Sequence, residues 1–218
     1  DQPLTTLLVA QSAQAKGNSA LAEEYYKRLL EDERSRFVGV QGLLAQQIEA
    51  GNPTKARKLA ETALSLRPGH GATQDRLLLL QNKAGDWQGA RRTLLEAARS
   101  GRLPKPVYQR RDAVLTLQQA EAEAALGHTA TAQDLAIEAN RLSPELIPAA
   151  ARAAAALVAQ GKAAAAAKLV KRAWKAQPHP ELAQAYAAIA PDEAPAARLA
   201  RFEPLLAQAP GPEAQMTR

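Results

Sequence analysis

Glycine recurs in this chain at a spacing that few folds can use. The stretches AKGNSALA, EAGNPTKA, KAGDWQGA, ALGHTATA and AQGKAAAA place Gly17, Gly51, Gly85, Gly127 and Gly161 in the same local setting. Successive intervals are 34, 34, 42 and 34 residues. Such a period marks units that each bury an apolar face against their neighbours, instead of sharing one globular core.

Three further columns keep the register. Five residues after each glycine stand Ala22, Ala56, Ala90, Ala132 and Ala166. Twelve after it come Leu29, Ala63, Ala97, Ala139 and Ala173, and seventeen after it Arg34, Pro68, Arg102, Pro144 and Pro178. The glycine ends one helix in a left-handed conformation. The alanines mark where the next helix crosses a neighbour closely, and the proline ends that helix. This is the pattern of the tetratricopeptide repeat. It predicts an all-α, right-handed superhelical solenoid of antiparallel helix pairs over residues 1–209. The expected pairs are 4–15 with 19–32, 36–50 with 54–66, 71–84 with 87–100, 107–126 with 129–142, and 147–160 with 163–176. A degenerate sixth pair is expected over 180–207, where Pro195 opens a helix in place of a turn glycine, and residues 210–218 read as a frayed tail.

Gly39 and Gly42 fall inside an expected helix, where each costs about 1 kcal/mol relative to alanine. Three residues apart, they share a face. Close contact with the preceding pair offsets the cost. The 42-residue interval adds eight residues around ARSGRLPKPVYQRR; Gly101, Pro104 and Pro106 predict a loop there. This insertion, 99–111, carries Arg99, Arg102, Lys105, Arg110 and Arg111.

Composition fits thin, closely packed helices, with 46% hydrophobic residues but only 4% aromatics. There are no cysteines, which excludes disulfides, thiolate metal sites and cysteine nucleophiles. The longest apolar run, LIPAAARAAAALVAQGKAAAAA, is interrupted by Arg152 and Lys162 and is too alanine-rich to insert in a bilayer. His70, His128 and His179 are isolated in turns and read as solvated; no catalytic or phosphate-binding motif is present. The expectation is therefore a non-enzymatic chain with no cofactor and no metal.

A repeat of this kind offers the face of its first helices to protein partners. Counting back from each turn glycine, the partner groove is expected to include Gln11, Gln41, Ile48, Asp75, Leu79, Asn82 and Lys83. The formal charge is +6, and Lys168, Lys171, Arg172 and Lys175 cluster on one second helix. No aromatic platform accompanies them, so nucleic acid is not an expected partner. A solvated face, an anionic membrane or an acidic protein remain as readings.

The run Arg34, Arg36, Phe37, Gly39, Gly42 and Leu43, with Gly85-Asp86-Trp87, the stretch RRDAVLTLQQAEA and the late ARLARFEPLL, resembles the proteobacterial HemY family. That resemblance implies membrane-anchored tetratricopeptide proteins associated with late protohaem biosynthesis. It implies two N-terminal membrane helices upstream of Asp1, attachment to the bacterial inner membrane with the repeats on the cytoplasmic face (the periplasmic face being the alternative), and haem-pathway enzymes as protein partners. An adaptor in another envelope process, cytochrome maturation or secretion, is the alternative reading, and tetrapyrrole binding the third. The fold expectation is checked by far-ultraviolet circular dichroism: a nearly all-helical spectrum is expected, and substantial sheet content would refute it.

Overall fold

A computed structural model describes residues 3–207. Among these residues it contains twelve α-helices and no strand. The helices divide between two compact units, Asp1–Leu103 and Pro104–Arg218. The first holds α1 (Pro3–Ala15), α2 (Ser19–Arg28), α3 (Glu33–Glu49), α4 (Pro53–Leu66), α5 (Gly71–Lys83) and α6 (Trp87–Arg99). The second holds α7 (Lys105–Ala125), α8 (Thr129–Leu142), α9 (Ile147–Ala159), α10 (Ala163–Ala176), α11 (Pro180–Ala187) and α12 (Pro195–Ala207). Each regular pair is the helix–turn–helix of a tetratricopeptide repeat. The tail 210–218 lies outside the described residues.

All five turn glycines adopt the left-handed conformation, with φ between 69° and 81°. A Cβ there would meet nothing within 4 Å, so the requirement is conformational and not spatial. The next alanine column is sealed: Ala22, Ala56, Ala90 and Ala166 are fully buried. Interior crossings at these points leave room only for a methyl group.

Gly39 and Gly42 obey the opposite logic. A Cβ on Gly42 would lie 2.2 Å from the Tyr26 ring, and one on Gly39 2.7 Å from the Tyr26 carbonyl oxygen. The face therefore meets α2 of the preceding pair. Tyr26 is 5% exposed and its hydroxyl donates to Gln14 Oε1 at 2.7 Å. A large aromatic takes the space two glycines leave, and its contact area offsets their poor helix propensity.

The Gly-Asp-Trp stretch is also explained locally. The Asp86 carboxylate caps α6 by accepting from Gly89 N at 2.9 Å and pairs with Arg57 of α4 at 2.6 Å. A Cβ on Gly89 would come within 2.3 Å of that carboxylate. Capping thus joins two helix pairs in the first unit.

One expectation requires correction. Helix α2 stops at Arg28, not near residue 32, because Asp32 caps α3 by accepting from Arg34 N at 2.9 Å. Arg34 consequently lies inside α3, whereas Pro68, Pro144 and Pro178 lie between helices. At the insertion the expected loop is short, residues 100–104 with Gly101 left-handed, and the extra length lies in α7, close to the expected helix 107–126. Helix α7 has 21 residues and α5 has 13, so the length difference equals the insertion. Pro104 takes the N-cap and Pro106 the first turn, positions where a missing N–H costs nothing.

The degenerate sixth pair is held by a different device. Trp174, Leu182, Tyr186, Phe202 and Leu205 form an apolar cluster in the second unit, with Tyr186 and Phe202 edge-to-face at 5.1 Å. Arg201 donates to the Tyr186 carbonyl at 2.7 Å, pairs with Glu193 at 2.8 Å, and covers the Tyr186 ring at 4.6 Å. With no alanine register left, large side chains fill the space.

Gly42→Ala should lower stability by about 1–3 kcal/mol despite the roughly 1 kcal/mol gain in helix propensity, because the Tyr26 ring must move. Urea denaturation measures the loss. A variant as stable as the parent would show that the ring shifts freely.

Candidate protein-interaction face

The first helices of the first unit, α1, α3 and α5, are tied edge to edge by polar side chains. Gln14 donates to both Glu49 carboxylate oxygens at 3.2 Å. Gln41 donates to Thr73 Oγ1 at 2.6 Å and accepts from Arg76 at 3.1 Å. Thr73 in turn contacts His70 Nδ1 at 2.7 Å, and that ring nitrogen caps α5 by accepting from Thr73 N. His70 also meets Phe37 edge-on at 4.9 Å, under the Arg67 guanidinium.

These bonds redraw the expected groove. Gln41 is half-buried and consumed between α3 and α5. Asp75 is exposed but receives the Arg102 guanidinium at 3.3 Å, and the same guanidinium reaches Gln74. Neither side chain is free for a partner. Gln11, Ile48, Leu79 and Lys83 do stand at the surface, with Ile48 at 42% and Leu79 at 55% exposure. Asn82 is half-buried, and its Oδ1 has no donor. Two exposed apolar side chains on adjacent first helices, with the Lys83 cation and the exposed Gln11 amide, make a face suited to a peptide or helix, while the Asn82 oxygen is buried and stands outside it.

The expected basic insertion spans the end of the first unit and the start of α7. Arg99 ends α6 and pairs with Glu96 at 2.9 Å. Arg102 folds back onto α5, as described, while Lys105, Arg110 and Arg111 belong to α7. A guanidinium already paired to its own unit is a poor docking group.

Sequence reasoning missed a hollow in the second unit. Leu117, Ala120, Ala136, Ala155 and Ala156 help line a cavity of about 260 Å³ among α7, α8 and α9. Glu121 and Arg152 also line it and pair at 3.6 Å. The alanine side chains that line it are too short to fill it. The alanine pattern was visible in the sequence; the hollow was not.

The histidines are capping residues, not solvated bystanders, in two of three cases. His179 accepts from Glu181 N at 3.2 Å and so caps α11, as His70 caps α5. His128 pairs with Glu123 at 2.6 Å. Among the described residues no cluster of three or more His, Asp or Glu could hold a metal, and no helix is long and apolar enough to cross a membrane.

No family model matches the chain, and no curated protein matches it. Solved structures do. YrrB, a TPR protein with an unusual peptide-binding site, is 12% identical, spanning 90% of this chain and 94% of its own at a TM-score of 0.46. MamA from Desulfovibrio magneticus RS-1 is 17% identical, spanning 81% and 96% at 0.41. Pseudomonas aeruginosa PilF is 15% identical, spanning 98% and 95% at 0.42. At these scores nothing of those proteins' partners transfers.

Burial and the nearby Glu49 charge raise the Tyr26 phenol above its ordinary value of 10.0. Folding therefore favours the protonated phenol. Its contribution is complete below pH 10 and is lost as pH rises through the higher folded value. Urea midpoints should fall on the alkaline side, and Tyr26→Phe should flatten that limb. Parallel alkaline limbs in both proteins would remove Tyr26 as the cause.

Proposed function

We propose that this chain is a non-catalytic scaffold that gathers protein partners through the first-helix face of its first unit. The observation that carries this reading is the exposure of Ile48 and Leu79 on the neighbouring first helices α3 and α5, with Gln11 and Lys83 exposed on α1 and α5. Exposed apolar side chains flanked by polar ones supply anchors and directional bonds, and the ladder through Gln14, Gln41 and Thr73 holds the anchors in place before binding. The cellular setting follows from the HemY resemblance: tethering at the bacterial inner membrane, repeats on the cytoplasmic side, and late protohaem biosynthesis as the process. Weak groove binding suits a scaffold whose partners share one membrane, because co-tethering raises effective concentration.

The test uses the 218-residue chain as bait for solubilised bacterial membranes, beside an Ile48→Asp/Leu79→Asp variant. Both positions are exposed, so the variant should keep its helical spectrum and lose no more than about 1 kcal/mol. Capture of haem-pathway enzymes should drop at least ~10-fold. If capture survives and is instead lost on Lys105→Gln/Arg110→Gln/Arg111→Gln, the start of α7 is the docking surface. If the captured proteins include no haem-pathway enzyme, the pathway assignment fails while the face stands.

A further inference from the structure

The largest acid-free basic stretch of the chain lies between Glu145 and Glu181. Between Leu146 and Pro180 stand Arg152, Lys162, Lys168, Lys171, Arg172 and Lys175, and no Asp or Glu. The chain contains 28 basic and 22 acidic residues, so everything outside this segment is balanced. Arg152 and Lys162 are accounted for by Glu121 at 3.6 Å and the Gln160 side chain at 2.9 Å. The remaining four lie on α10 and form no ion pair among the described residues.

Their spacing is i, i+3, i+4 and i+7, which places all four within about 100° of arc at 100° per residue. The buried side of α10, made by Ala166, Val170, Ala173 and Trp174, is diametrically opposite. All four cations are exposed. Several other surface helices neutralise cations along their own length: Lys27 with Glu23, Arg28 with Glu24, Arg57 with Glu61, and Arg99 with Glu96. On α10 like charges face each other at i, i+4, which opposes helix formation. The helix dipole accounts for Lys175, in the last turn, and for none of the others. Lys171 also lies 5.9 Å from the Tyr186 ring, a contact too long and exposed to explain a four-residue stripe.

We infer that the basic face of α10 is an electrostatic docking surface for an anionic lipid bilayer. Three features favour a bilayer over a shaped anionic ligand. The stripe runs straight for about 10 Å along one helix, at 1.5 Å per residue. Its surroundings, Ala163, Ala164 and Ala165, are exposed and too small to build walls around a ligand. Three of the four cations are lysines, hydrated point charges on long stems that suit a diffuse field of headgroups better than bidentate recognition. The surface lies in the second unit, so this inference goes beyond the partner face and is independent of it.

Each such cation strengthens attachment to an anionic surface about fivefold, so four give half-binding near ~1 mM accessible lipid. Sedimentation of the 218-residue chain with vesicles of 30% phosphatidylserine in phosphatidylcholine, at about 0.1 M salt, tests this directly. Binding is expected there, with none to pure phosphatidylcholine and release near ~0.5 M salt. Lys168→Gln/Lys171→Gln/Arg172→Gln/Lys175→Gln should lose at least ~100-fold, while replacing the three lysines by arginine should retain binding. Neutralising Lys105, Arg110 and Arg111 should leave it unchanged. Equal pelleting with both vesicle types, or of the quadruple variant and the parent, overturns the proposal. So does salt-sensitive binding of a polyglutamate peptide by a chain that ignores the vesicles, an outcome that would make the surface a protein-docking site.

Discussion

Close approach of helix backbones, allowed by side chains that are absent or reduced to a methyl, is the constraint on which each unit depends. A chain this poor in aromatics cannot fill wide gaps between helices. It closes the gaps instead, with Ala22, Ala56, Ala90 and Ala166 fully buried at equivalent crossings. Where one large ring is used, glycines make way for it, as Gly39 and Gly42 do for Tyr26. The cost of this strategy is visible in the second unit, where small side chains line a hollow of about 260 Å³ among α7, α8 and α9.

Polar side chains then do a second job within the first unit. Asp86 caps α6 and holds Arg57 of α4; Gln41 spans α3 and α5; Arg102 returns to Gln74 and Asp75 of α5. Half-buried hydrogen bonds of this kind fix the register of neighbouring pairs, which apolar methyl contacts do only weakly. The same bonds decide which residues are left for a partner. Ile48, Leu79, Gln11 and Lys83 stand outside the ladder, and function is assigned to them for that reason.

Charge is distributed by a separate rule. Helices α2, α4 and α6 pair cations with their own carboxylates. Helix α10 does not, and it turns four unpaired cations directly away from its buried side. A scaffold that binds partners through one unit and meets a charged surface through another would use a modest affinity at each, since joint engagement multiplies the two.

The sequence by itself determined the period, the helix pairs and the need for close packing. These depend on backbone rules that act locally: a left-handed glycine at Gly17, Gly51, Gly85, Gly127 and Gly161, a methyl-sized crossing five residues later, and a glycine pair that must face something large. The sequence did not show that Tyr26 is that large group, or that Gln41 and Asp75 are already occupied. Leu7 and Leu8 make the same point, since Leu7 packs into the core and Leu8 is 57% exposed, although α1 carries leucines on several sides. Only the tertiary structure decides such cases, because whether a side chain is spent or free depends on which groups a second helix brings within about 3 Å of it.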